Sequence, residues 1–153
     1  MLWRMDQICF EPQLAYSRPE LAVYMRRPGS FTLVAESAAV KLDKNGGPPA
    51  EIVGFIVAEA RRKTGHIVTI DVLPEARRAG IGSALLQAAE DRLRQAGAAV
   101  VELETAVNNA AAIQFYKRKD YFVEKTIPGY YSNQLDALVM RKELAVACSK
   151  APV

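Results

Sequence analysis

Between a β-branched run ending at Leu73 and an amphipathic stretch beginning near Gly80 lies the segment Arg77-Arg78-Ala79-Gly80-Ile81-Gly82-Ser83. At a strand-to-helix junction the first-turn amides of the helix have no carbonyl partners. Glycines without a Cβ let a phosphate approach those amides. Arg77 and Arg78 add positive charge beside them, so the segment has the makings of a pyrophosphate cradle. A tight turn with solvated arginines would use the same letters. The G-x-x-x-x-G-K-[ST] pattern of nucleotide triphosphatases and the third glycine of the dinucleotide fingerprint are both missing, which demotes those two readings.

Other polar and aromatic residues are ambiguous by pattern alone. Glu102 and Glu104 alternate with Val101 and Leu103, as solvent-facing residues of a strand do. Tyr116, beside Phe115 on a helix, fits core packing with its hydroxyl reaching outward. Tyr130-Tyr131 fits ordinary hairpin aromatics. His66 is the sole histidine, stands at a strand start and is assigned no role. Lys117-Arg118-Lys119 reads as a solvated helix face or as help for phosphates. Cys9 and Cys148 lie far apart with no C-x-x-C or histidine partner, so neither a disulfide framework nor a metal site is expected.

The elements that must position these groups are legible as changes of period. Leu2, Met5, Ile8 and Cys9 mark one short helix, and Ser17-Arg18-Pro19-Glu20 has the form of a capping box opening a second, stopped at Pro28-Gly29. Strands are expected over 31–40, 52–60 and 66–73, with a long hairpin tip at Lys44–Pro49 and a basic turn at 61–65. Ile81, Leu85, Ala88, Ala89 and Leu93 predict a helix over about 80–96, ended by Gly97. A strand over 98–104, a helix capped by Asn108 or Asn109 and reaching Lys119, and a strand pair over 121–125 and 135–140 complete a mixed α/β domain. Residues 1–144 form that single domain, and 145–153 read as a fraying tail.

At 153 residues the chain suits one core. Half its residues are apolar, its charge is +3, and its basic residues are dispersed. That balance favours a polyanionic small ligand and excludes a nucleic-acid stripe. Signal-peptide and membrane-spanning runs are absent, so a cytoplasmic protein without membrane attachment is expected.

R-x-x-G-x-G after Asp71-Val72-Leu73-Pro74 resembles the coenzyme A motif of the GNAT acetyltransferases. Leu103 to Tyr116 resembles the following strand, loop and helix of the ribosomal-protein alanine N-terminal acetyltransferases, and Gly129-Tyr130-Tyr131 with Asp136 to Met140 resembles their last hairpin. Cys9-Phe10-Glu11-Pro12 and Tyr16-Ser17 loosely resemble the helix-loop-helix bordering the substrate site. The resemblance implies a single-domain α/β GNAT fold with a mixed, mostly antiparallel sheet splayed into a V and flanked by about four helices.

It also implies acetyl-CoA as co-substrate and no metal. Backbone groups of Ile70 and Val72, the segment Arg77, Arg78, Gly80, Ile81, Gly82 and Ser83, and Asn109 and Tyr116 would bind the coenzyme. The Val72 amide would polarise the acetyl carbonyl. Glu104 would deprotonate the amine, whose pKa is about 7.7 to 8.0 for a free N-terminus, and Tyr116 would return a proton to the thiolate. Phe10, Tyr130 and Tyr131 would hold the acceptor, a protein N-terminus such as that of a ribosomal protein. A monomer or weak homodimer is expected.

Two features depart from the family pattern. Lys119-Asp120 stands where an apolar residue and a glycine usually end the helix, and the strand that usually precedes the first helix is not seen. Two other functions compete: an acetyltransferase for a small amine such as a polyamine, aminoglycoside or amino acid, and an acyl-CoA-binding sensor without turnover.

Overall fold

The computed structural model describes residues 1–37, 50–132 and 134–145. The expected hairpin tip at 44–49, the end of the strand assigned to 31–40, Cys148 and nearly all of the 145–153 tail lie outside the described residues. Two helices open the chain, α1 (Leu2–Cys9) and α2 (Arg18–Arg26). The capping box is present: Glu20 N donates to Ser17 Oγ at 3.3 Å, and Ser17 N donates to Glu20 Oε2 at 2.9 Å.

Strands β1 (Ser30–Glu36), β2 (Ile52–Arg61) and β3 (Thr64–Val72) follow as an antiparallel meander, then a 3₁₀ turn (Pro74–Ala76) and helix α3 (Ile81–Gln95). β4 (Val100–Ala106), α4 (Ala110–Arg118), β5 (Phe122–Ile127) and β6 (Ala137–Glu143) complete a six-stranded sheet of order β1-β2-β3-β4-β6-β5. The α3 crossover makes β3 and β4 parallel, and every other pair is antiparallel. β6 starts and ends later than the sequence pattern suggested. Leu135 and Asp136 are used in the preceding loop, where their carbonyls accept from Tyr131 N and Val107 N. Arg141 and Lys142, whose polarity hid the strand's end, pair with Glu102 and Glu90 across it.

β3 and β4 are paired only from Thr64↔Val100 to Ile67↔Leu103, after which they part. The cause is local. β2 pairs Val57 with Thr69 and Ala58 with Ile67, leaving Val68 as an extra residue on β3. Such a bulge bends its strand and sharpens the twist. It falls one residue past the last β3–β4 pair, at the apex of the V.

One face of the sheet packs on α3 and α4 through Ile56, Leu86, Leu93, Leu103 and Met140. The other packs on α1 and α2 through Met5, Leu21, Phe55, Val57 and Val68. Burial at this scale, at roughly 1.5–3 kcal/mol per large apolar side chain, drives the two helical layers onto the sheet.

Candidate active site

The V opens into a cleft of about 530 Å³. On one wall, Leu73 N donates to Val53 O at 2.9 Å. Because an antiparallel ladder turns alternate residues toward the same neighbour, Val72 and Ile70 turn their N–H and C=O groups away from β2. They face the gap that β4 has left. The Val72 carbonyl accepts from Arg77 Nε at 2.9 Å and from Cys9 Sγ at 3.4 Å. One of the two cradle arginines therefore braces the strand end.

Arg78 (φ 65°) and Gly80 (φ 78°) are both left-handed and turn the chain sharply into α3. No side chain caps that helix. The first-turn amides of Ile81, Gly82 and Ser83 precede the first helical bond, Ala84 N to Gly80 O, and stand at the cleft. A Cβ at Gly82 would meet the Phe115 ring at 3.6 Å, an ordinary van der Waals contact, so α3 and α4 approach closely beside the cradle. Arg77, Arg78 and Arg118 line the same end of the cleft. Uncapped amides, left-handed backbone and three arginines fit a pyrophosphate. Arg118 belongs to the run that also reads as a solvated helix face; its place in the cleft follows from α4 packing beside α3.

On the opposite wall, Asn109 caps α4, its Oδ1 accepting from Ala112 N at 3.1 Å, and it lines the cleft with its other side-chain atoms. Tyr116 is 7% exposed, packed edge-on against Phe115 and Tyr121. Among the described residues its hydroxyl has no hydrogen-bond partner. Burial, reinforced by the nearby Asp71, pushes the phenol above its ordinary value, which keeps it protonated. Glu104 stands on β4 across the gap, and its Oε2 lies 2.6 Å from His66 Nε2. The alternating pattern that reads as solvent-facing holds for Glu102, whose partner is Arg141 at 3.4 Å; Glu104 faces the cleft.

The end of the cleft away from α3 is built from loops. Phe10 at the end of α1, Leu14, Tyr16 and Tyr131 line it, while Tyr130 is exposed and packs edge-on against Tyr131 at 5.0 Å. Tyr130 thus lies outside the cleft proper, at its rim. Burial raises its phenol to about 12. Ser132 Oγ donates to Gln13 O at 3.1 Å, joining the β5–β6 loop to the α1–α2 loop over this end. Tyr16 is held by four bonds: its N to Asp6 Oδ2, its O from Trp3 Nε1 and Gln7 Nε2, and its hydroxyl to Val68 O. Neither Tyr16 nor His66 is a site residue by sequence pattern. The tertiary approach of α1 to β3 brings Tyr16 to the cleft, and that of β3 to β4 sets His66 behind it, against Glu104.

The family model described as the acetyltransferase (GNAT) family matches residues 1–121, most of the chain. The chain belongs to that family. As a GNAT acetyltransferase it is 32% identical over 130 residues to N-alpha-acetyltransferase 20 of Dictyostelium discoideum, covering 84% of this chain and 72% of that protein. It is 41% identical over 83 residues to an N-alpha-acetyltransferase of Sulfurisphaera tokodaii, covering 54% and 50%. The chain thus spans from half to nearly three quarters of these relatives' lengths. Among solved structures, Ard1 from Thermoplasma volcanium superposes with a TM-score of 0.78 at 26% identity, over 93% of this chain and 88% of that one. The ribosomal-protein-S18-alanine N-acetyltransferase from Escherichia coli has the same fold, with a TM-score of 0.74 at 22% identity over 99% and 91%.

Proposed function

We propose that this GNAT enzyme transfers the acetyl group of acetyl-CoA to the N-terminal α-amine of a protein. The observation that carries the reading is the presence of Glu104 and Tyr116 in one cleft with the cradle of α3 and the outward-turned backbone of Val72. Glu104 takes one proton from the α-ammonium and passes it to solvent. The freed amine attacks the thioester carbonyl, whose oxygen the Val72 N–H meets as negative charge grows there. Tyr116 protonates the departing thiolate. The second proton lost by the new amide nitrogen returns to Tyr116 through solvent, so the balance is one amide, one thiol and one released proton. Ile70 and Val72 bind the coenzyme's pantetheine arm along the splayed strand, with Asn109 opposite; Arg77, Arg78, Gly80, Ile81, Gly82 and Ser83 hold its pyrophosphate.

Phe10, Tyr131 and, at the rim, Tyr130 hold the acceptor peptide. The names of the relatives support an α-amine acceptor, and the cleft lining supports it separately. Among the described residues, Glu104 and Asp71 are the only acidic residues lining the cleft, and burial raises Asp71 toward its neutral form, to about 8. A polyamine would need more negative charge than that. A terminus of a ribosomal protein is one acceptor within this reading, and the cytoplasm, where acetyl-CoA meets new protein termini, is its setting. The unit is residues 1–144, acting as a monomer or weak homodimer.

The test is thiol release from acetyl-CoA with short peptides of varied N-termini, ribosomal-protein termini among them. The same peptides with a blocked α-amine, and spermidine, run beside them. Turnover confined to free N-termini is expected. Turnover with spermidine, or with blocked peptides through a lysine side chain, would overturn the acceptor assignment; binding without turnover across the panel would point to the sensor.

A further inference from the structure

We propose that β5 is a docking edge for a second copy of this chain, which lays its own β5 antiparallel to the first and joins the two sheets into one. β5 ends the sheet, with β6 on one side and no strand on the other among the described residues. From Phe122 to Thr126 every residue is exposed, and neither core cluster takes in a residue of β5. Phe122 is 49% exposed and Val123 40%. An edge of unpaired N–H and C=O groups carrying bare apolar side chains is a template for another strand. β1, the opposite edge, is different. Its Phe31, Leu33 and Ala35 pack against the α3–α4 core, and its single charge, Glu36, has no cation beside it on the strand.

The bulge in β5 selects the occupant. β6 pairs Val123 with Met140 and Lys125 with Val139, so Glu124 is the extra residue and shares the side of Lys125. Its Oε1 lies 3.5 Å from Arg141 Nη1, which agrees: Arg141 and Val139 are two apart on β6 and project together, away from the Leu138 and Met140 side chains in the α3–α4 core. Phe122, Glu124, Lys125 and Ile127 therefore project on the α1–α2 face, and Val123 and Thr126 on the α3–α4 face. A regular strand alternates without a break and can match only one half of that order. The order reads the same in both directions, so a second β5 running antiparallel matches all of it.

A two-fold axis perpendicular to the sheet then sets Phe122 opposite the partner's Ile127, Val123 opposite the partner's Thr126 and Glu124 opposite the partner's Lys125. Opposite residues in an antiparallel pair have Cβ atoms about 4.5–5.5 Å apart, and opposite charges there attract. Lys125 has no ion pair within its own chain among the described residues, and it gains one. Each contact occurs twice. β6 separates β5 from β4, so the cleft of each copy stays open. One strand pair of six residues is small against the roughly 800 Å² per partner of stable complexes, so the dimer is a weak one.

Sedimentation of the full chain at rising concentration tests this. Wild type should pass from monomer toward dimer below about 1 mM; a monomer throughout would overturn the proposal. Lys125→Glu sets like charges opposite each other twice and should raise the dimer dissociation constant about tenfold. Exchanging both charges, Glu124→Lys with Lys125→Glu, should return it to within about threefold of wild type. Melting temperature should hold in both. A dimer indifferent to Lys125→Glu, or a double exchange that stays as weak as the single variant, would overturn the β5 pairing in favour of another surface. Should either variant fail to fold, a cysteine pair reads the register directly: Val123→Cys with Thr126→Cys should give a covalent dimer on oxidation that Val123→Cys alone does not. Equal cross-linking by the two would overturn the pairing.

Discussion

The two faces of the sheet bury polar groups in opposite ways. On the α3–α4 face the buried carboxylate is Glu90, and it is saturated: Lys142 Nζ donates to both oxygens at 2.7 and 3.1 Å, and the Tyr121 hydroxyl reaches Oε1 at 3.4 Å. On the α1–α2 face, Asp6 Oδ1, Asp71 Oδ1, His66 Nδ1 and Ser30 Oγ are buried without partners. Unpaired buried atoms cost stability and persist where something other than stability is served. Asp6, Asp71 and His66 lie at or directly behind the cleft, whereas Ser30 lies on the edge strand β1. The saturated Glu90 cluster serves the fold, those three unpaired groups gather near the base, and Tyr116 and the cradle of α3 bring chemistry to the α3–α4 side as well.

The largest effect should come from breaking the saturated cluster. Glu90→Ala leaves the Lys142 ammonium, 20% exposed, without its partner, and should cost about 3 kcal/mol by denaturant titration. Activity per folded molecule should stay unchanged. A stable Glu90→Ala with impaired turnover would reverse the division of labour between the faces. Tyr116→Phe separates fold from chemistry within the same α3–α4 face. The ring and its contacts to Phe115 and Tyr121 remain, so the melting temperature should hold, while kcat falls about 10²-fold with acetyl-CoA affinity unchanged. Unchanged kcat would remove Tyr116 from the chemistry.

The same division sets what a sequence reveals. The α3 stripe of Ile81, Leu85, Ala89 and Leu93, the capping box at Ser17 and the glycine after α3 are local signals, and each is present in the structure. The cradle before α3 is equally local. The His66–Glu104 contact spans 38 positions and depends on which strands are neighbours, which period-2 alternation does not encode. The bulge at Val68 that opens the V has no glycine to announce it; Ile67-Val68-Thr69 reads as unbroken strand. Tyr16 is a loop residue whose role comes from the four bonds that fix it against α1 and β3. Glu104 and Tyr116 became candidates through family resemblance, and their presence in one cleft is a property of the fold.

Protonation should separate the faces further. Burial raises Asp71 from 3.8 to about 8 and Asp6 from 3.8 to about 6. Between the unfolded and folded values the native chain holds protons that the unfolded chain has released. Stability from these groups is therefore complete below about pH 4 and is lost as pH rises, through about 6 for Asp6 and about 8 for Asp71. Asp71→Asn keeps an acceptor for Thr69 Oγ1, which now lies 3.3 Å from Asp71 Oδ2, and removes the titration. Its melting temperature should match wild type near pH 4 and exceed it increasingly up to about pH 8. A constant offset across that range would show that Asp71 does not hold a proton in the folded state.

The smallest effect concerns two helix ends that perform the same turn with different residues. After α3, Gly97 is left-handed at φ 98°, with Ala98 N bonded to Leu93 O and Gly97 N to Arg94 O. After α4, Asp120 is left-handed at φ 69°, with Tyr121 N bonded to Tyr116 O and Asp120 N to Lys117 O. Both are Schellman motifs, and in the second the usual apolar contact across the motif is the Tyr116–Tyr121 ring pair, 5.6 Å apart. The departure at Asp120 therefore leaves the geometry that seats Tyr116 intact and costs only backbone strain, which glycine would relieve. Part of that relief is returned as unfolded-state entropy, so Asp120→Gly should gain about 0.5–1 kcal/mol in thermal unfolding with kcat unaltered. A gain in stability accompanied by a change in kcat would mean that the aspartate, and not only the turn, sets the position of Tyr116.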